Sequence, residues 1–289
     1  MPVEGPGVKT EALMRLGVTM FATDRSMPVA ELAGAAEARG FASLYLPEHT
    51  HIPVSRRTPP AAGQAVLPEE YRRTLDPLVA LSHAAAVTSE IALGTGIMLV
   101  AQREPLVTAK AVATLDHLSG GRVVLGIGFG WNVEEVEDHL GPQGFRSRRD
   151  VAREHMLAMK ALWSREEAGF DGRHVGFEPS WSWPKPVSGP PVYVGGAAGP
   201  KLFAHVAEYA DGWMPIGGRG VRAALPALRE ACDKAEREMV KVIPFGTLPN
   251  AEKLDYYSEL GIEEVVLSLP SAEADQILPV LDEYAAFLR

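Results

Sequence analysis

The stretch Tyr45-Leu46-Pro47-Glu48-His49-Thr50-His51 sets a carboxylate and two imidazoles directly behind a short apolar run. Strand ends usually carry Gly, Asn, Asp or Ser, because turns need them. A Glu–His pair there suggests proton transfer, since an imidazole titrates near neutrality. His49 is the candidate acid–base group. Glu48 reads as structural, a partner for an arginine, and His51 is balanced between a loop position and a substrate contact. Three further strand ends are rich in glycine: Gly94-Thr95-Gly96-Ile97, Gly126-Ile127-Gly128-Phe129-Gly130-Trp131-Asn132 and Gly195-Gly196-Ala197-Ala198-Gly199. A residue without Cβ lets a ligand approach the backbone. GGAAGP ahead of a helix also leaves N–H groups free for a phosphate or carboxylate. Each cluster alone is equally well explained by tight strand-to-helix turning, but three on one rim point to a flat, extended ligand. The GxGxG of 126–130 has the wrong spacing for a dinucleotide fingerprint, and no acidic residue closes the next strand in the required place.

These residues need elements to position them. Apolar runs at 16–22, 41–47, 91–100, 122–130, 190–196, 211–216, 240–246 and 262–269 read as strands, continuous rather than alternating, as in parallel strands covered on both faces. Helical periodicity follows each of them. In 26–40 Ser26 is a candidate cap and Val29, Leu32, Ala33 and Ala36 share a face. In 105–121 the stripe is Val107, Ala111, Leu115 and Leu118. In 273–288 the inward set is Ile277, Leu278, Leu281, Ala285 and Leu288. About eight βα units in a chain of this length indicate a single α/β domain over 1–289, a (β/α)8 TIM barrel, with a doubly wound open sheet as competitor. In a barrel the candidates above all fall at the C-terminal strand ends, where active sites lie.

Residues 1–15 read as a loose tail, and 50–75 and 165–189 as insertion loops. The second insertion contains a small hairpin at FDGRHVGF, and Trp181 and Trp183 either pack that hairpin on the barrel or line a substrate pocket. The first carries the pairs Arg56–Arg57 and Arg72–Arg73, either a solvated face or a basic lid for an anionic ligand. The 289 residues carry net charge −9, which argues against a nucleic-acid or polyanionic partner. Cys232 has no second cysteine to pair with and sits in a helical stretch, read as a buried structural residue. The N-terminus lacks an apolar leader core, and no window reaches ~18 apolar residues, so no membrane span is expected and a cytoplasmic location follows.

The segments ATLDHLSGGRVVLGIGFGWNVEE (113–135), LGTGIMLV with REPL (93–106), PPVYVGGAAGPKLFAHVAEYADGW (190–213) and SLYLPEHTHIP (43–53) resemble the luciferase-like superfamily of flavin- and deazaflavin-dependent oxidoreductases. The resemblance runs through about residues 16–285 and is nearest to the branch that uses coenzyme F420. It implies a luciferase-like barrel, a homodimer and a non-prolyl cis peptide at Gly96–Ile97 behind the cofactor ring. It implies a phosphate loop at Gly195, Gly196, Ala197 and Ala198. It places Thr95, Gly96, Ile97, Gly128, Phe129, Gly130 and Asn132 beside the ring and its side chain, and His49 and Trp131 at the reacting face. One departure matters: Trp131 stands where the family's sugar-phosphate dehydrogenases carry a proton-transferring carboxylate, with Glu134 and Glu135 following in the helix. The sugar-phosphate activity is therefore not carried over, and Trp131 reads as a stacking surface.

Three functions follow from this reading. The first is an F420-dependent oxidoreductase that moves a hydride between the deazaflavin and a small organic substrate, with no metal. The second is an FMN/FMNH2-dependent monooxygenase on the same rim. The third is a cofactor-binding protein without turnover.

Overall fold

The computed structural model describes residues 14–55, 57–59, 66–187 and 189–288. Strands and helices alternate through them: β1 (Arg15–Thr19), α1 (Val29–Ala38), β2 (Ser43–Leu46), α2 (Pro77–Ala85), β3 (Ala92–Met98), α3 (Pro105–Ser119), β4 (Val123–Ile127), α4 (Val133–Leu140) and α5 (Gly144–Ser164). A hairpin of β5 (Glu167–Asp171) and β6 (Gly176–Trp181) comes next, then β7 (Val192–Gly195), α6 (Pro200–Tyr209), β8 (Gly212–Met214), α7 (Val221–Lys234), β9 (Lys241–Val242), β10 (Phe245–Thr247), α8 (Ala251–Glu259), β11 (Glu264–Ser268) and α9 (Ala274–Ala285). Apart from the antiparallel hairpin, the strands form one nine-stranded parallel sheet in the order β10-β11-β1-β2-β3-β4-β7-β8-β9. The order follows the chain without the reversal that a doubly wound sheet requires. Both end strands lie on the single run 241–247. From it, the amides of Ile243 and Phe245 donate to Trp213 O and Pro215 O on one side, while the amide of Val266 donates to Pro244 O on the other. The sheet therefore curls until its ends share one stretch of chain.

Inside the curl lies an apolar cluster of Tyr45, Tyr193, Met214, Ile243, Phe245 and Val266, separate from the larger core between sheet and helices. Small residues face these large ones. A Cβ on Gly94 would stand 2.2 Å from the Tyr45 ring, and one on Gly96 2.4 Å from Phe245 Cζ. Alternating small and large residues is how a narrow sheet interior is filled. Part of the glycine signal in the sequence is thus a packing requirement of the interior rather than a ligand contact.

The helix faces follow the sequence reading in part. Val29, Leu32, Ala33 and Ala36 are buried on α1, but Ser26 does not cap it: the helix starts behind Pro28, and the Ser26 hydroxyl oxygen instead accepts the Thr23 amide at 2.9 Å. Pro77 and Pro105 open α2 and α3 behind the capping carboxylates of Asp76 and Glu104. On α3 the expected stripe holds in half: Leu115 is buried and Ala111 packs against the core, but Val107 and Leu118 are 69% and 70% exposed, and Thr108, Val112 and Asp116 face inward instead. Those polar residues are satisfied where they are buried. The Thr108 hydroxyl donates to Glu104 O, and the Asp116 carboxylate accepts the amides of Val123 and Val187. Apolarity alone therefore misplaced half of the face. On α9 Ile277 and Leu281 are buried, joined by Tyr284, with Leu278, Ala285 and Leu288 packed partly against them. Cys232 is buried on α7, as read.

Candidate active site

The C-terminal ends of the strands enclose a cavity of ≈ 530 Å³, within the usual range for small-molecule sites. Its floor is the Gly96–Ile97 peptide, which is cis. The Ile97 side chain lies between two glycines: a Cβ on Gly128 would fall 2.0 Å from Ile97 Cδ1, and one on Gly195 2.9 Å from Ile97 Cγ2. Ile97 thus takes the space that those glycines leave. Gly130 has φ +77°, and a Cβ there would press Val136 and Gln102, so the turn into α4 requires glycine. The Gly196 carbonyl accepts the indole N–H of Trp213, which packs edge-on against Phe203; this pins the loop in front of α6.

His49 lines the same cavity and is 9% exposed. Its backbone is clamped by Thr74, whose hydroxyl oxygen accepts the His49 amide at 3.2 Å and whose hydroxyl donates to the His49 carbonyl at 2.8 Å. Its ring is set by Glu135 in the first turn of α4, with Nδ1 2.8 Å from Oε2. A carboxylate only accepts, so Nδ1 carries the proton of that bond and Nε2 is the nitrogen left for other partners. Tyr71 and Trp131 flank the ring at centroid distances of 5.3 and 5.9 Å, and Phe21 lies 4.6 Å from Tyr71, so the imidazole sits in an aromatic box. Burial, then the Glu70 charge, pushes the Tyr71 phenol up, so Tyr71 stays neutral in this box.

Glu48 is structural, as the sequence suggests. It accepts the Leu99 amide at 2.7 Å and pairs with Arg103, which also reaches Asp76 at the N-terminus of α2. The pair locks the end of β2 to the β3–α3 turn, with Glu48 and Leu99 both on the cavity wall. His51 turns away to Asp138 and Thr50.

Of the two readings of the arginine pairs, the described residues favour the solvated face over the basic lid. Arg73 is spent on Asp24 and Glu69, and Arg72 on Glu69. Arg57 is largely exposed beside Glu134, and Arg56 lies outside the described residues. The cations that line the cavity are Arg148 and Arg149 of α5. Arg148 donates to Gly130 O and Phe145 O, and Arg149 lies over the Phe129 ring at 4.9 Å. Neither has a carboxylate partner among the described residues. Burial, then the Arg149 charge, pulls the Arg148 guanidinium below its ordinary value, an environment that an anion would relieve.

Glu134 fastens the first insertion to α4. It accepts the amides of Arg57 and Thr58 and the Thr58 hydroxyl, whose oxygen in turn accepts the Val133 amide. Burial pushes its carboxyl up, but the bonds from Thr58 and Arg57 outweigh it and bring it from the ordinary 4.5 to about 2. The folded-state value lies below the unfolded one, so the anchor acts in full above about pH 4.5 and is lost as the pH falls toward about 2. Glu134→Gln is expected to lower hydrogen-exchange protection of the Arg57 and Thr58 amides by about tenfold at neutral pH, and wild type is expected to approach the variant near pH 2.5. Equal protection in both proteins at neutral pH removes the anchor role.

The cavity wall gathers His49, Gly96, Ile97, Phe129, Gly130, Trp131, Gly195 and Gly196 from the sequence-derived set. Thr95 and Asn132 lie behind it, fully buried: the Thr95 hydroxyl donates to Gly126 O, and Asn132 caps α4. Gly128 also lies behind it, against Ile97, while Ala197 and Ala198 are exposed beyond it. Trp181 and Trp183 are 75% and 59% exposed, so neither of their two readings is met: they are not packed away under the hairpin and do not line the cavity. Sequence reasoning missed Tyr71, Arg148 and Arg149; the RSRR run opening α5 was the available signal.

A family model of luciferase-like monooxygenases matches residues 14–255. The chain belongs to this family. As a luciferase-like family member it is an oxidoreductase. An uncharacterized protein of Mycobacterium tuberculosis is 44% identical over 281 residues, covering 95% of this chain and 99% of its own. An F420-dependent glucose-6-phosphate dehydrogenase of Kineococcus radiotolerans is 34% identical over 165 residues, covering 55% of this chain and 49% of its own. Among solved structures, a monooxygenase from Streptomyces bottropensis superposes with TM-score 0.75 at 18% identity, covering 95% of this chain and 98% of its own. A coenzyme F420-dependent tetrahydromethanopterin reductase from Methanopyrus kandleri superposes with TM-score 0.71 at 18% identity, covering 96% of this luciferase-like chain and 100% of its own. These likenesses in structure concern the fold. No helix among the described residues is long and apolar enough to cross a membrane.

Proposed function

We propose that this chain is an F420-dependent oxidoreductase built on a (β/α)8 barrel, in which the run 241–247 is one interrupted strand and the two long loops are insertions. The observation that carries the reading is one cavity lined by a buried imidazole, by apolar side chains and by two guanidinium groups that have no carboxylate partner among the described residues. Those features fit a flat ring with an anionic tail. Ile97, Phe129 and Gly96 would bear the ring, and the Gly195–Gly196 backbone with Arg148 and Arg149 would hold the phosphate. The group, when bound, supplies a carbon that takes up or releases a hydride.

The chain's own contribution is proton transfer and shielding. Neutral His49 accepts the hydroxyl proton of an alcohol at Nε2, and the imidazolium returns it to a carbonyl oxygen in the reverse direction. Trp131, Tyr71 and Phe21 keep water from that nitrogen. The partner substrate is a small organic molecule. A homodimer is part of the proposal, and exposed Val79, Val107 and Leu118 would serve its contact; a monomer by light scattering removes that part.

Fluorescence titration of the purified protein with F420 and, separately, with oxidised and reduced FMN tests the assignment. Micromolar or tighter binding of F420 with weak FMN binding is the expected result. FMN binding with oxygen consumption and no F420 binding moves the reading to a monooxygenase. F420 binding with no turnover of any alcohol or carbonyl leaves a binding protein.

A further inference from the structure

Three carboxylates that tie segments of the fold together have both oxygens occupied. Glu48 accepts from Leu99 N on one oxygen and Arg103 on the other. Glu134 takes Arg57 and Thr58, one on each oxygen. Glu264 takes Ser43 on one and Arg15 on the other. Glu135 differs. Its side chain is fully buried, its Oε2 is spent on His49 alone, and its Oε1 has no partner. The other buried side-chain atoms without partners among the described residues are Asn132 Nδ2 and both ends of Gln102, on the α4 cap and under the Gly130 turn. A corner built for stability alone would hold apolar side chains here, because burying a carboxylate with one oxygen unpartnered costs stability.

We propose that Glu135 is the positioning residue of His49. The inference rests on the reading of His49 as the proton-exchanging group. Glu135 holds the ring in the tautomer with hydrogen on Nδ1, which leaves the Nε2 lone pair for the substrate hydroxyl. When Nε2 takes that proton, the new N–H bond is matched by the broken O–H bond of the substrate, and the imidazolium formed faces a carboxylate 2.8 Å away. No proton passes to Glu135 in this step. Its place in the first turn of α4 favours a negative charge.

Nitrogen NMR of protein labelled with [15N]histidine reads which ring nitrogen carries the proton and needs no cofactor. Wild-type His49 is expected as the Nδ1–H form when neutral, and Glu135→Gln is expected to make the Nε2–H form the majority. In turnover, Glu135→Gln is expected to lower kcat by ~10²–10⁴-fold with KM within about threefold, and Glu135→Asp to recover at least about tenfold of the loss. A wild-type Nε2–H tautomer, or an unchanged kcat in Glu135→Gln, overturns the proposal. If Glu135→Gln does not fold, the wild-type tautomer and Glu135→Asp still decide. If F420 does not bind, the tautomer measurement stands by itself and only the cofactor reading falls.

Discussion

His49→Gln is expected to lower kcat by ~10²–10⁴-fold, the usual contribution of a positioned acid–base group, with cofactor affinity held within about threefold. Glutamine is the informative replacement. Its amide N–H can still donate to Glu135, so the buried carboxylate keeps a partner while the titrating nitrogen is gone. His49→Ala would instead strand Glu135 in a fully buried position, and breaking a buried pair on one side costs about 3–5 kcal/mol. Loss of activity in that variant would then mix chemistry with unfolding. Steady-state turnover and thermal melting of His49→Gln separate the two. Wild-type turnover in His49→Gln with normal cofactor binding would assign the proton to water or to another group, and the aromatic box around His49 would then be a binding feature only.

The same histidine shows how far a sequence reaches. His49, Gly96, Ile97, Gly130 and Trp131 were legible because they sit at strand ends, and a parallel sheet puts strand ends together. Glu135 was visible only as a residue of the α4 turn. Its bond to His49 spans 86 positions, and no local pattern in the chain encodes it. Arg72 and Arg73 stayed open between a solvated face and a lid for the opposite reason: a basic pair looks available until its acids are found, and Asp24 lies 49 positions away. Half of the inward face of α3 was misread because Thr108 and Asp116 bring their own hydrogen-bond partners into the core. The glycines were legible as a group but not one by one. Gly94 is spaced for Tyr45, Gly96 for Phe245, and Gly128 and Gly195 for Ile97. Steric demand between strands far apart in sequence decides which glycine serves packing and which leaves backbone open.

That division gives a large expected effect for a single methyl group at the cavity floor. In Gly128→Ala the new Cβ meets Ile97 Cδ1 at 2.0 Å, and Gly195 closes the other side of the isoleucine. Cδ1 can turn about χ2, but Cγ1 also lies at 3.1 Å and Gly195 closes the far side, so Ile97 is driven toward the cavity whose floor it forms. Overpacking of this kind costs about 1–3 kcal/mol, a drop in Tm of several degrees in a protein of this size. Binding should suffer more than folding, because the displaced methyl enters the space the ring needs: a loss of F420 affinity of at least about tenfold is expected, some 1.4 kcal/mol. Gly199→Ala is the control. Nothing lies within 4 Å of its Cβ position, so both Tm and affinity should stay at wild type although it lies beside the proposed phosphate loop. Ile97→Ala in the Gly128→Ala background removes the clashing group and should restore part of the affinity, with a coupling between the two sites of about 0.5–3 kcal/mol. Strict additivity of the two substitutions would mean that Gly128 acts through the backbone turn, and that Ile97 does not shape the floor of the site.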